Sequence, residues 1–208
     1  MVFASRAEAG QHLGQRLKEL GIQPDWVLGL PRGGVVVAAA VARELKAALD
    51  VLIVRKIGHP LHREFAVGAM AEGGVVVLDS AAAGSNPSVQ RDLHQIIAEE
   101  TQRLEAYRSL FHRTDLAGLA GKHVLLVDDG LATGATTEAA VLAARKQGAL
   151  RIIVAAPVAS THAVARLRRI ADEVVALWVD PNFDAVGRYY QVFDQTTDEE
   201  VLGLLKAA

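Results

Sequence analysis

Five aliphatic runs are spaced along the chain, and segments rich in helix-forming residues follow most of them. The runs lie at 26–30, 51–54, 124–127, 151–158 and 174–179. Strands that are apolar on both faces are typical of a parallel sheet covered by helices on both sides. Strands that alternate with helices are joined by right-handed crossovers. The pattern therefore predicts an α/β fold with a three-layer, doubly wound parallel sheet.

Shorter patterns complete the predicted order of elements. Short apolar segments at 66–71 and 75–78 predict a hairpin joined at 72–74, and the glycine- and proline-containing stretch at 57–64 predicts a mobile loop. We expect the long helix near 88–111 to be an insertion that packs on the sheet edge or on a partner subunit. The predicted helices lie at about 5–20, 35–48, 88–111, 138–146 and 198–205, with Ser5 and Ser88 as N-terminal caps.

Composition limits the class of protein. The 208 residues, 51% of them hydrophobic, suffice for one domain with a substantial core. A net charge of −2 argues against a nucleic-acid-binding surface. The absence of cysteine excludes disulfides and thiolate metal sites and is consistent with a cytoplasmic location. The N-terminus lacks a signal-peptide apolar region, and no run is long enough to span a membrane, so we expect no membrane partner.

The segment at 124–137 joins a buried strand, two adjacent carboxylates and a loop that opens a helix. Free backbone N–H groups at a helix N-terminus bind anions, and threonine hydroxyls can complete such a site. Asp128 and Asp129 stand at the carboxyl end of the strand, where open α/β sheets bind ligands. Carboxylates accept hydrogen bonds from sugar hydroxyls, so we predict a sugar phosphate such as ribose 5-phosphate. The loop residues predicted to hold it are Gly130, Ala132, Thr133, Gly134, Ala135, Thr136 and Thr137.

This segment has a simpler interpretation and a distinctive resemblance. The simpler interpretation is a strand–turn–helix whose aspartates cap the helix, although a cap needs only one aspartate. The run from Asp128 to Thr136 resembles the phosphoribosyl-pyrophosphate (PRPP) signature of type I phosphoribosyltransferases. It departs from that signature at Gly130, where a bulkier aliphatic residue is more usual. No Gly-Lys-Ser/Thr sequence closes the loop, so it is not a P-loop.

The resemblance implies a ligand, a cofactor and residue roles. A type I phosphoribosyltransferase binds PRPP with Mg²⁺ and transfers the phosphoribosyl group to a nitrogenous acceptor, with release of pyrophosphate. Asp128 and Asp129 would hold the ribose diol near Mg²⁺ and contact the ion only through ribose hydroxyls and water. The fold would be one domain, with a core at about 22–179 and a small hood built by the N-terminal helix and residues 180–208.

A second loop is expected to bind the pyrophosphate. Arg32, Gly33 and Gly34 follow the strand at 26–30 and precede a helix, which makes another anion site. In the resembled family this loop often contains an unusual peptide bond. Arg55 and Lys56 follow the run at 51–54 and would neutralise the pyrophosphate charge. Asp128, Asp129, Arg32 and Lys56 are thus the predicted catalytic residues; the alternatives are a plain turn and solvent-exposed cations.

The acceptor is the least defined part of the prediction. Aromatic faces suit a flat heterocycle, so Trp178, Phe183 and Tyr189 could line its site, or these residues could pack the last helix. Enzymes of 6-oxopurine salvage carry an Asp at the position of Ala132 and a Lys near Val158, and this chain has neither. The sequence therefore disfavours hypoxanthine and guanine and leaves adenine, a pyrimidine or an amine open.

Two other classes of protein remain open alongside a PRPP-dependent transferase, which could form a homodimer. One is a non-catalytic regulator on the same fold that senses PRPP or a nucleotide. The other is a Mg²⁺ phosphohydrolase or receiver-like module, which would need a further carboxylate or lysine at another strand end. The sequence offers neither in the expected places.

Overall fold

The computed structural model describes residues 2–79, 87–112 and 118–207, without the side chains of 63–65 and 87. The elements are α1 (Arg6–Glu19), β1 (Trp26–Gly29), α2 (Gly33–Leu45), β2 (Ala48–Val51), β3 (Val54–His59), β4 (His62–Ala71), β5 (Val75–Leu78), α3 (Pro87–Phe111), β6 (His123–Val127), α4 (Ala135–Lys146), β7 (Arg151–Ser160), α5 (Thr161–Leu167), β8 (Glu173–Asp180), a 3₁₀ helix (Val186–Tyr189) and α6 (Asp198–Lys206). Among the described helices, none combines the length and apolar character that a membrane-spanning segment needs.

The main sheet has five parallel strands in the order β2-β1-β6-β7-β8, which confirms the predicted doubly wound parallel sheet. Gly29 at the end of β1 pairs with Val51 on one side and Val127 on the other, so the three strands end level. The chain continues from β1 to β2 on one side of β1, and β6 later pairs with β1 on its other side. Ligands bind at such a reversal of strand order, because the loops after the two strands diverge and leave a crevice.

Helices cover both faces of this sheet. Side chains alternate along β6, so Leu125 and Val127 pack against α1 and α2, while Leu126 packs against α4 and α5. The fully buried residues of β6 and β7 contribute to both layers. This burial on both faces is the physical reason for the continuous aliphatic runs in the sequence.

Strands β3, β4 and β5 form a second, antiparallel sheet. The predicted hairpin at 66–71 and 75–78 is confirmed, because β4 pairs with β5 in that register. The predicted loop at 57–64 is wrong: these residues end β3, turn at Pro60 and begin β4.

The predicted strand at 51–54 is wrong for a related reason. Val51 ends β2 and Val54 begins β3, and the two residues between them are also buried. The apolar run therefore crosses from one sheet to the other, and hydrophobicity does not mark the boundary. Arg55 and Lys56 consequently lie within β3, not at the end of a parallel strand.

The long helix α3 packs on the small sheet and on α6, as its apolar stripe indicates. Leu93, Ile96 and Leu104 are buried in a cluster with Ile57 of β3 and Val201 of α6. Ser88 is the second residue of the helix, so its predicted role as N-terminal cap is wrong. The predicted packing on a sheet edge is thus met by the smaller sheet.

The two ends of the described chain meet beside the main sheet. The backbone N–H of Phe3 donates to the carbonyl of Tyr189 at 2.8 Å, and the N–H of Gln191 donates to the carbonyl of Phe3 at 2.8 Å. Phe3, Tyr189 and Tyr190 are buried together with Val158 of β7. The terminal segments therefore pack on each other beside β7, and their role as a hood over the acceptor stays a prediction.

Candidate active site

A cleft of about 240 Å³ lies where the loops after β1 and β6 diverge. It contains most of the residues that the sequence predicts to bind ligand and also some that it does not. The lining residues are Leu30, Pro31, Arg32, Gly33, Lys56, Asp128, Asp129, Gly130, Leu131, Ala132, Thr133, Gly134, Thr136, Thr137 and Val186.

The two carboxylates line this cleft in different environments. The backbone N–H of Asp129 donates to Oδ1 of Asp128 at 2.8 Å, which fixes the Asp128 side chain. Burial of its carboxyl group and the charge of Asp129 raise the pKa of Asp128 well above its ordinary value, although the Asp129 amide and the charge of Lys56 oppose the shift. A further positive charge in the cleft would favour ionisation of Asp128.

Asp129 is held by residues from both ends of the chain. Nε of Arg6 donates to Oδ2 of Asp129 at 2.7 Å. The hydroxyl of Tyr190 donates to the Asp129 carbonyl at 2.6 Å. Burial and the charge of Asp129 raise the pKa of Tyr190, which keeps this hydroxyl protonated. The sequence predicts neither contact, because both join distant parts of the chain and leave no local pattern.

The loop after β6 presents backbone donors. Helix α4 begins at Ala135, after Gly134 in the left-handed conformation with φ 76°. Ala135 N–H donates weakly to Oγ1 of Thr133 at 3.4 Å, and within the described part of the chain no protein acceptor faces the N–H groups of Thr136 and Thr137. These amides, with the half-buried Thr136 hydroxyl, make the predicted anion site.

Ser160 holds the same loop from behind and was not predicted from the sequence. Its Oγ donates to the Ala132 carbonyl at 2.6 Å and accepts from the N–H of Ala163 at 2.9 Å. The N–H of Leu131 also donates to the Val158 carbonyl at 2.9 Å. The loop therefore continues the hydrogen bonding of the sheet beyond the end of β6.

The loop after β1 packs directly on the acid pair. The peptide bond between Pro31 and Arg32 is cis, in the loop where the resemblance implies an unusual peptide bond. A Cβ atom on Gly33 would lie 2.1 Å from Oδ2 of Asp129, and one on Gly34 would lie 2.9 Å from Cα of Asp128. Both glycines are therefore needed for the close approach of the two loops. Arg32 lines the cleft and lies 3.5 Å from Asp198 of α6.

Arg55 and Lys56 separate, because adjacent residues of a strand point to opposite faces. Lys56 lines the cleft. Arg55 faces α3, where its Nε donates to Oε2 of Glu100 at 2.8 Å and its guanidinium lies 5.4 Å from the centre of the Tyr107 ring. The structure thus brings Lys56 to the acid pair and does not bring Arg55 there. Ala135 is likewise not among the lining residues.

The predicted aromatic residues do not line the cleft. Trp178 is 42% exposed on β8. Phe183 stacks on Tyr189 with ring centres 5.2 Å apart, and the Tyr189 hydroxyl donates to Asp180 at 2.8 Å. Phe183 and Tyr189 pack with Phe3 of the N-terminal segment, whereas the last helix packs in a separate cluster, so these two rings do not pack the last helix either.

Val186 is the residue of the tail that reaches the cleft. Its Cγ1 lies 2.6 Å from where a Cβ atom on Gly130 would be. A bulkier side chain at 130 would therefore displace Val186. A glycine in place of the usual bulkier residue at 130 was the feature of the sequence that indicated a side chain from elsewhere at this position.

The donors in the cleft fit Mg²⁺ only in part. Carboxylate oxygens suit this ion, and Asp128 and Asp129 supply them. Among the residues that the structure describes, no group of three or more His, Cys, Asp or Glu side chains could hold a metal. An ion here would need most of its oxygen ligands from a substrate and from water.

The fold and the cleft define a class of protein, and comparison with known proteins identifies it. The chain belongs to the phosphoribosyltransferase family: the family model of the phosphoribosyl transferase domain matches residues 4–187. The family is named for a glycosyltransferase reaction of the pentosyltransferase kind. The suspected resemblance to type I phosphoribosyltransferases is thereby confirmed.

Individual relatives agree with this assignment. Two proteins of Mycobacterium tuberculosis, provisionally named phosphoribosyl transferases, are 44% identical over 215 residues and cover 100% of this chain. The chain spans about half the length of these relatives, 47% of each. The crystal structure of TT1426 from Thermus thermophilus is 46% identical, with a TM-score of 0.79 over 99% of this chain and 98% of that chain. AQ2163 from Aquifex aeolicus, at 14% identity and a TM-score of 0.52, shares the fold, over 97% of this chain and 85% of that one.

Proposed function

We propose that this protein binds PRPP together with Mg²⁺ and transfers the phosphoribosyl group to a nitrogenous acceptor, with release of pyrophosphate. One observation carries the proposal: two adjacent carboxylates and the unpaired amides of a helix N-terminus share a cleft of about 240 Å³. Sugar hydroxyls are ligands for the first group, and a phosphate is the ligand for the second. Ribose 5-phosphate presents both at the same time.

The remaining contacts of PRPP follow from the walls of the cleft. The loop at 132–137 would hold the 5-phosphate, and Asp128 and Asp129 would hold the diol. Arg32, Gly33 and Lys56 line the cleft and would hold the pyrophosphate together with Gly34 of the same loop, because they supply two cations and closely approaching backbone. Arg55 has its role on the other face of β3, where it binds Glu100.

Transfer requires that the bond between C1 of the ribose and the pyrophosphate oxygen breaks while a bond from C1 to the acceptor nitrogen forms. The positive charge that develops on the sugar ring resembles that of glycosyl transfer in general. Arg32 and Lys56 would stabilise the negative charge of the departing pyrophosphate. A bound Mg²⁺ would add charge neutralisation at the same oxygens. The protein needs no nucleophile, because positioning and electrostatics suffice.

We further propose that the acceptor is not a 6-oxopurine. Ala132 is exposed and carries no polar group, and Val158 is fully buried against the tail of the chain. The other side chains near Gly130 are Leu131 and Val186, which are also apolar. Among the described residues that line the cleft, Leu131, Ala132 and Val186 therefore offer no side-chain donor that could read an exocyclic oxygen. Adenine, a pyrimidine or an amine remains as the acceptor class, and we expect the protein to act on these small molecules in the cytoplasm.

The test is pyrophosphate release from Mg-PRPP with a panel of acceptors: adenine, hypoxanthine, guanine, uracil, orotate and an ammonium donor. We expect release with one acceptor other than hypoxanthine or guanine, and none with the Asp128→Asn variant. Silence with every acceptor in a protein that binds Mg-PRPP would support the sensing regulator instead. Rapid release with hypoxanthine would contradict the acceptor assignment alone.

A further inference from the structure

Arg6, the first residue of α1, reaches the acid pair from the N-terminal part of the chain. Its Nε lies 2.7 Å from Oδ2 of Asp129, across a separation of 123 residues. The two side chains are 12% and 15% exposed. Removing one partner of an ion pair shielded from solvent to this degree costs more than breaking a surface pair, because the other charge is left without compensation.

Three contacts hold the Arg6 guanidinium in place. Besides Asp129, its Nη1 donates to the backbone carbonyl of Asp194 at 2.8 Å. Its central carbon lies 3.8 Å from the centre of the Phe193 ring, which is a cation–π contact. The C-terminal tail therefore holds the guanidinium beside Asp129.

The pairing leaves Asp129 with a defined role. Oδ2 accepts the hydrogen bond from Arg6, which sets the orientation of the carboxylate that lines the cleft. The Arg6 charge also offsets one of two adjacent carboxylates, which would otherwise repel each other. Gly33 packs against the same ion pair, because a Cβ atom there would lie 2.9 Å from Nε of Arg6.

We propose that Arg6 is a positioning residue for the sugar site, which orients Asp129 toward the ribose diol from outside the cleft. This inference rests on the proposed function, since it requires that Asp129 binds a sugar. It assigns to the N-terminal helix a part in ligand binding that the motif itself does not contain. Removal of Arg6 weakens diol binding and leaves phosphate binding alone.

The experiment compares two probes on the full chain, ribose 5-phosphate and inorganic phosphate, by calorimetric or NMR titration. Arg6→Ala is expected to weaken ribose 5-phosphate by about tenfold, since it removes a charge-assisted hydrogen bond, and to change phosphate affinity by less than about twofold. Arg6→Lys should restore part of the loss, because it keeps the charge but cannot bind Asp129 and the Asp194 carbonyl in the same geometry. Arg16→Ala is the matched control: it breaks an exposed ion pair with Glu19 on the same helix.

A double-mutant cycle separates positioning from general structure. In the Asp129→Asn background, Arg6→Ala should change ribose 5-phosphate affinity by less than about twofold, because its partner carboxylate is already gone. Additive losses would overturn the inference. An equal loss for both probes would also overturn it, because a loosened fold explains that result. Circular dichroism confirms folding, and if Arg6→Ala fails to fold, Arg6→Lys and the cycle built on it decide.

The remaining outcomes separate the inference from the function on which it rests. Wild-type binding that Arg6→Ala leaves unchanged would overturn the role of Arg6 and leave the proposed function standing. Tighter binding by Arg6→Ala would show a competing group in place of a positioning one. A folded wild-type protein that binds neither probe would overturn both proposals.

Discussion

Gly33 is the residue on which the geometry of the acid pair most directly depends. A methyl group at this position would lie 2.1 Å from Oδ2 of Asp129, well inside van der Waals contact. The Asp129 carboxylate would have to move, and its ion pair with Arg6 would open. We therefore predict that Gly33→Ala weakens PRPP binding by about tenfold or more, as for loss of a charge-assisted contact, measured by calorimetric titration.

Gly203 provides the matched control for this substitution. It lies in α6, and a Cβ atom there would meet no heavy atom within 4 Å. Gly203→Ala should leave affinity unchanged and stabilise the helix by about 0.5 to 1 kcal/mol. Equal affinities for Gly33→Ala and wild type would contradict the proposed contact between the two loops.

Residue by residue, the sequence predicts the contiguous parts of the site. Asp128, Asp129 and the loop at 132–137 lie next to one another in the chain, so a local pattern is enough to find them. Arg6 and Ser160 reach the same loop only because the sheet brings distant segments together. No local pattern in one sequence records such contacts.

Strand β3 places the adjacent residues Arg55 and Lys56 on opposite faces, and a single substitution of each one tests their separate roles. Lys56→Ala should weaken PRPP binding by about tenfold, because it removes a cation from the pyrophosphate side of the cleft, and should change ribose 5-phosphate affinity by less than about twofold. Arg55→Ala should cost less PRPP affinity, since Arg55 binds Glu100 on the other face. Titration of both ligands into both variants checks this, and a larger effect from Arg55→Ala would contradict it.

The end of α3 is tied to both sheets through a histidine. Nε2 of His112 lies 2.7 Å from Oε2 of Glu72, and Nδ1 lies 3.6 Å from Oδ1 of Asp50. Burial alone would lower the pKa of His112, but the Asp50 and Glu72 carboxylates outweigh it and raise the pKa to about 9. The imidazolium therefore holds α3 against β2 and the turn after β4 at neutral pH.

This contact makes stability depend on pH. Because the folded-state pKa of about 9 exceeds the unfolded value of about 6.5, the contribution is complete below pH 6.5 and is lost as pH rises through 9. The contribution is on the order of 1 to 3 kcal/mol. His112→Gln should thus lower the free energy of unfolding more at pH 6 than at pH 10, measured by urea denaturation. Exposed His162 supplies the control His162→Gln, and a pH-independent difference would contradict this role for His112.

Among the elements, four strands of the main sheet follow from the sequence, whereas β2 was misplaced and the small sheet follows only in part. Strands β6 and β7 are buried on both faces and are easily recognised. The stretch at 57–64 carries glycine, proline and charges, which favour a loop locally. Antiparallel pairing of the end of β3 with β4 nevertheless makes it strand on both sides of the turn at Pro60. Tertiary pairing overrides local preference there.

In the whole molecule, the two ends of the described chain close on the motif in its middle. Arg6, Tyr190 and Val186 contact Asp129 and Gly130 from the terminal segments. The class of fold and the location of the cleft were predictable, because both follow from strand order and from the acid pair. The positions of the tail aromatics were not predictable, because Phe183 and Tyr189 stack on each other and do not line the cleft.

The central claim is that one cleft binds the diol and the phosphates of PRPP, and calorimetric titration of Mg-PRPP into the folded chain tests it most directly. We predict saturable binding of one PRPP per chain, and at least about tenfold weaker binding by a folded Asp129→Asn variant, because the diol loses a charged acceptor. The absence of saturable heat at millimolar PRPP, or equal affinity in the Asp129→Asn variant, would contradict the account.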